Sequence, residues 1–109
     1  MRTCEDIRLP PVALEYAREV RNRLGQHLRQ IILFGSQARG EATEGSDYDF
    51  LVVVDERTRA LRELVLDAGD VLMDKRDALC ATLMYDNAEW ERVQRSPLGW
   101  NVERDGVLL

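Results

Sequence analysis

Histidine occurs once, cysteine twice and proline three times in this chain of 109 residues. Cys4 and Cys80 stand far apart and form no cluster with metal-ligand spacing. That argues against a disulfide framework and a cysteine-based zinc site, and it fits a reducing cytoplasm. His27, the only imidazole, precedes an apolar run in a polar segment and reads as a solvated or locally packed side chain, not a catalytic one. Positive charge is short as well. Fifteen Lys and Arg against twenty Asp and Glu leave a formal net charge of -5. Such a surface repels phosphate backbones on average, which disfavours a free-standing nucleic-acid coat protein. Apolar runs such as Phe50–Val54 are far too short to cross a bilayer. The N-terminus opens on Arg2, Glu5, Asp6 and Arg8 instead of an apolar signal core. With 45% hydrophobic residues, enough for one modest core, the expectation is a cytoplasmic, soluble chain forming one domain over residues 1–109.

The pattern of apolar residues places the elements. Pro10-Pro11 opens a helix in which Val12, Tyr16, Val20 and Leu24 share one face, with Gly25 as its stop. Ile31–Phe34 is a continuous apolar run ended by Gly35 and reads as a buried strand. Ser36–Arg39 fits a helical turn, Gly40–Gly45 a loop, and Asp49–Val54 a second strand. Leu61, Leu64, Val65 and Ala68 lie at helical spacing behind a Thr58 cap, in a helix running to Leu72, and Asp74–Asp77 reads as a polar turn. Ala78–Tyr85, apolar on both faces except Thr82, is expected as a central strand. Asp86 and Glu89 have the spacing of a capping box before a helix carrying Trp90 and Val93, which Pro97 ends. Leu98–Leu109 is read as a tail docking through Trp100, Val102 and Val107, with a last strand at Val107–Leu109. This order predicts an α/β (α+β) fold, a small mixed sheet with flanking helices.

Chemistry concentrates between Gly35 and Asp49. A glycine after a buried strand lets the backbone turn tightly and approach a ligand. Ser36 then offers a hydroxyl and an N–H where a helical turn begins, which suits a phosphate. Arg39 can add a charge-assisted contact. Asp47 and Asp49 alternate with Tyr48 on entering a strand, so both carboxylates face one side, roughly 6–7 Å apart. Two carboxylates, water and phosphate oxygens form a donor mixture that suits Mg²⁺. An isolated Asp-x-Asp is more often a solvated turn. The informative feature is the joint arrangement of strand, Gly35-Ser36, a ten-residue spacer (Gln37–Ser46), and Asp47-x-Asp49 opening a second strand.

That arrangement resembles the minimal nucleotidyltransferases of the DNA polymerase β-like superfamily, whose signature is Gly-Ser, ten residues, Asp-x-Asp. Ala38-Arg39-Gly40 and the C-terminal Glu89–Arg92, Ser96–Leu98 and Asn101–Leu108 also resemble stand-alone bacterial members. The resemblance implies a polymerase β-like fold and transfer of a nucleoside monophosphate from ATP or another NTP to a hydroxyl. It assigns Gly35 and Ser36 to the nucleotide, where the Arg39 contact would add to theirs, and Asp47 and Asp49 to catalysis and two Mg²⁺ ions. It also implies a HEPN-domain partner, with this chain as antitoxin, because nothing in so short a chain is left to select an acceptor. The family usually adds a third carboxylate from a neighbouring strand, and its position here falls on Ala81. Asp74, Asp77 and Asp86 are alternatives, the first and last more simply read as turn and cap residues. A chain without that ligand is expected to turn over weakly, to borrow a carboxylate, or to act only as a partner-binding module. A small-molecule transferase is the less favoured reading, since such enzymes usually carry an additional substrate-binding domain.

Among the remaining residues, Arg18, Arg21, Arg23 and Arg29 form a locally basic region read as a solvated face. Trp90 and Trp100 are expected as core anchors, Cys80 as a small buried hydrophobe, and Tyr48 as packing opposite the aspartates. A second copy of the chain is an open partner; a membrane is not.

Overall fold

The computed structural model describes residues 1–43 and 45–109; Glu44, within the expected Gly40–Gly45 loop, lies outside the described residues. Among the described residues, five strands form one mixed sheet in the order β1-β5-β2-β3-β4. They are β1 (Arg2–Thr3), β2 (Leu28–Phe34), β3 (Tyr48–Val54), β4 (Cys80–Asp86) and β5 (Val107–Leu108). Helices α1 (Pro11–Leu24) and α3 (Arg59–Arg76) cover one face, and α4 (Asn87–Val93) and α5 (Pro97–Asp105) cover part of the other. The short α2 (Ser36–Arg39) sits at the end of β2.

The alternation along β3 divides the core in two. Phe50, Val52 and Val54 join Tyr16, Ala17, Val20, Leu61, Val65 and Ala68 beneath α1 and α3. Leu51 and Val53 face the other way and pack with Ile32, Trp90 and Val102. A strand buried on both faces needs such a run, since neither set of side chains can face water. Tyr16 is wholly buried and stacks on Phe50 with ring centroids 4.2 Å apart. Its hydroxyl pairs with Thr82 Oγ1 at 2.6 Å, and burial pushes its pKa up to about 12. Removing the Phe50 ring would cost roughly 3–5 kcal/mol.

The expected mixed sheet with flanking helices is borne out, and several boundaries and placements are corrected. β2 begins at Leu28, before the apolar run, because Leu28 pairs with Val54 and Gln30 with Val53 across an irregularity. The expected turn at Asp74–Asp77 is the last turn of α3. Lys75 and Arg76 favour the negative end of that helix, and Asp77 closes it in a left-handed conformation, φ 52°. The Asp86–Glu89 capping box forms in both directions, at 2.8 and 3.1 Å.

Ala78–Tyr85 is not central: among the described residues β4 is the sheet's edge and pairs with β3 alone. Its inner side (Cys80 and Met84) meets the α1/α3 core, whereas Leu79 and Leu83 on the opposite side are exposed. The tail is mostly helix. Ser96 caps it through the Gly99 N–H and Pro97 occupies its first turn, so this proline opens a helix. Val102 and Val107 dock as expected. Trp100 does not; it is 64% exposed, because it lies two residues, over half a helical turn, from Leu98 and Val102. Cys80 is half-buried and Tyr48 packs against the α1/α3 core. His27 is a partly exposed partner of Asp55 at 3.0 Å. Arg23 and Arg29 lie near Glu19 and Asp55, as a solvated face requires.

Candidate active site

The site is built where β2 ends and β3 and β4 begin. Phe34 pairs with Asp49, and Asp49 pairs with Ala81 in the parallel β3–β4 ladder. Asp49 therefore stands between the last residue of β2 and a bare methyl group on β4. Gly35 follows Phe34 with φ 76° and ψ -161°, a conformation few side-chain-bearing residues adopt. It has a second reason to be glycine: a Cβ there would collide with the Asp49 carboxylate Oδ2. The Gly35 backbone and the Asp49 carboxylate are thus close neighbours, although thirteen residues lie between them.

The Gly35 carbonyl accepts from the Ala38 and Arg39 N–H groups at 3.1 and 3.2 Å, which starts α2. Ser36 is half-buried at its first position, adjacent to Asp49's steric partner Gly35. Gln37 donates to the Ser46 carbonyl at 3.3 Å, tying α2 to the segment that delivers Asp47. Asp47 is exposed and Asp49 half-buried. Burial raises the Asp49 pKa above the usual carboxylate value and the Asp47 charge adds to this, while Arg39 opposes it. Among the described residues, neither carboxylate has a hydrogen-bond or ion-pair partner. Two hard oxygen donors with uncompensated negative charge fit a cation such as Mg²⁺.

Arg39 is placed differently from a free phosphate ligand. Its guanidinium donates to Glu41 at 3.1 Å and to Asp105 at 3.2 Å, while its charge still reaches Asp49. Sequence reasoning missed the residues that hold it. Arg2 donates to the carbonyls of Ala38 and Asp105 at 3.1 and 2.8 Å, clamping α2 to α5 from opposite ends of the chain. No local spacing announces a contact over that separation.

Ala81, where the resemblance implies a third carboxylate, pairs with Asp49 across the β3–β4 ladder and supplies no ligand. Asp77 closes α3, and Asp86 caps α4 at the far end of β4. Among the described residues, no group of three or more His, Cys, Asp or Glu side chains is placed to share a metal.

A Gly-Ser turn therefore stands beside an acidic pair at the mouth of a mixed sheet. Residues 14–104 match the nucleotidyltransferase domain. The chain belongs to that family. It is 44% identical over 98 residues to Putative protein adenylyltransferase MJ0604 of Methanocaldococcus jannaschii, covering 84% of this chain and 83% of that protein. Over 60 residues it is 40% identical to Putative protein adenylyltransferase MJ1305 of the same organism, of which it spans only 41%. Among solved structures it is similar to a putative nucleotidyltransferase from Sulfolobus solfataricus, with a TM-score of 0.57 and 27% identity over 89% of this chain and 75% of that one. The toxin–antitoxin MntA-HpeT shares the fold, with a TM-score of 0.63 at 21% identity over 89% of this chain and 70% of that one. So does a toxin–antitoxin solved with AMP-PNP, with a TM-score of 0.58 at 20% identity over 87% and 69%. The expectation of a nucleotidyltransferase is therefore borne out at the level of family and fold. No helix among the described residues is long and apolar enough to cross a membrane.

Proposed function

We propose that this nucleotidyltransferase transfers AMP from ATP to a hydroxyl on a partner protein, with Mg²⁺, as the antitoxin-like half of a HEPN-type pair. The observation that carries the reading is the close approach of the Gly35 backbone to the Asp49 carboxylate, which sets the Gly-Ser turn beside the acidic pair. In this reading Gly35 and Ser36 hold the triphosphate through the turn, and Arg39, already braced by Asp105, contributes positive potential. Asp47 and Asp49 would hold the metal, which when bound offsets phosphate charge and makes the α-phosphorus more electrophilic. The acceptor oxygen forms a bond to that phosphorus, its bond to the bridging oxygen breaks, pyrophosphate departs and the hydroxyl proton passes to solvent. Protein adenylyltransferase relatives and toxin–antitoxin neighbours support a protein acceptor, and a neighbour solved with AMP-PNP supports an adenine nucleotide.

One observation favours a second reading. Ala81 leaves the β4 side of Asp49 without a carboxylate, which suits a module that binds and neutralises its partner with little turnover. Labelled ATP, Mg²⁺ and a candidate HEPN partner separate the two. The first reading expects label on the partner, reduced at least about a hundredfold by Asp47→Asn or Asp49→Asn. Label transfer indifferent to both substitutions would refute it. Neutralisation without label, retained in both variants, would establish the second.

A further inference from the structure

The two edges of the sheet differ. β1 ends it with two residues, whereas β4 presents seven residues with one side unpaired. From Cys80 to Tyr85, β4 carries no proline, lysine or other charge of the kind that usually blunts an exposed edge. A groove of about 460 Å³ runs along the β4 edge beside α3. Leu66, Met73, Leu79 and Leu83 line it and are 57%, 39%, 52% and 38% exposed.

The charges along this groove identify its occupant. Arg62, Leu66, Asp70 and Met73 form one stripe on α3. Arg57 and Arg59 are committed to Glu89 and Glu63, but no ion pair engages Arg62 or Asp70 among the described residues. Arg62 and Asp70 lie equally far on either side of Leu66. A two-fold axis through Leu66 therefore sets Arg62 of each copy against Asp70 of the other, with Leu66 meeting its own counterpart.

The strand has the same centre of symmetry. A Cβ on Gly69 would lie 3.9 Å from the Cys80 carbonyl oxygen, which levels that helical turn with Cys80. α3 runs antiparallel to β4, so Leu66, three residues earlier and about 4.5 Å along the helix, comes level with Ala81–Thr82 at about 3.3 Å per strand residue. Thr82 is also the midpoint of Leu79 and Tyr85. One axis thus makes both the helix stripe and the strand edge self-complementary.

We infer that the β4–α3 edge binds a second copy of this chain, pairing β4 with β4 antiparallel about Thr82 and continuing the sheet across the dimer. Leu79 then meets Tyr85 of the second copy, and Ala81 meets Leu83 of the second copy. Because Ala81 neighbours Asp49 in the ladder, each copy supplies an apolar wall to the open flank of the other's acidic pair.

Sedimentation or light scattering of the purified chain at about 10–100 μM tests this. The expected species has twice the 12.5 kDa chain mass. Arg62→Asp or Asp70→Arg alone should each weaken association at least about tenfold by opposing like charges. Arg62→Asp combined with Asp70→Arg should recover to within about threefold of the original. Both positions are exposed, and circular dichroism checks that every variant is folded. A single-chain mass for the unmodified protein, as expected if this edge instead receives a different protein, overturns the inference. So do single swaps without effect, or a double swap as weak as the singles.

Discussion

The two flanks of the Asp47–Asp49 pair are built to different standards. Toward β2, Gly35 gives up its side chain to admit the Asp49 carboxylate, Gln37 ties α2 to Ser46, and Arg2 and Asp105 brace α2 from both termini. Toward β4 the neighbour is Ala81, exposed and followed by an unpaired strand edge. Backbone geometry, sterics and hydrogen bonds all constrain the first flank, while little but register constrains the second. Under the proposed function, the first is the nucleotide's half of the site and is complete within the chain. The second is the acceptor's half, which is completed from outside or remains weak.

Breaking the built flank should have the largest effect. Gly35→Ala adds a methyl group where the Asp49 carboxylate lies and where φ is 76°. The expected cost is about 2–4 kcal/mol in urea denaturation, together with loss of nucleotide binding. Filling the open flank should act the other way and more modestly. Ala81→Asp places a carboxylate beside Asp49 and should raise Mn²⁺ affinity, read by electron paramagnetic resonance, on the order of tenfold. Unchanged affinity would mean that Ala81 does not face the acidic pair.

The smallest effect concerns charge alone. The Asp49 pKa is raised in the folded protein, first by burial and then by Asp47. Between its unfolded and folded values the native state binds more protons than the unfolded one, so stability falls as pH rises through that interval. The penalty is fully present above the folded value and absent below the unfolded one. Metal-free Asp49→Asn should therefore melt higher than the original at pH 7, and the gap should close in acid. Saturating Mg²⁺ should shrink or reverse it, because only the aspartate holds the ion.

The same contrast explains what could be read in the sequence. Gly35, Ser36, Asp47 and Asp49 lie at the ends of two short apolar strands, so one strand period and one glycine suffice to bring them together. Ala81 is singled out by the family resemblance, through the pattern leading into Asp86 and Glu89-Trp90; its place beside Asp49 follows from the parallel β3–β4 register, which no local spacing encodes. Whether β4 is central or at the edge was not legible: the eight uncharged residues Ala78–Tyr85 look alike whether a strand or water lies beyond them, until the whole order is known. Trp100 misled for a related reason. A large apolar side chain implies burial, but the α5 phase set by Val102 turns it outward. The bracing of α2 by Arg2 and Asp105 joins opposite ends of the chain, and nothing local encodes it.

Calorimetric titration with AMP-PNP, with and without Mg²⁺, addresses the central claim most directly: that the Gly35 turn and the acidic pair together form a metal–nucleotide site. The original chain should bind in a Mg²⁺-dependent manner, and Asp49→Asn at least about tenfold more weakly. Equal binding by both, or binding indifferent to Mg²⁺, would contradict it.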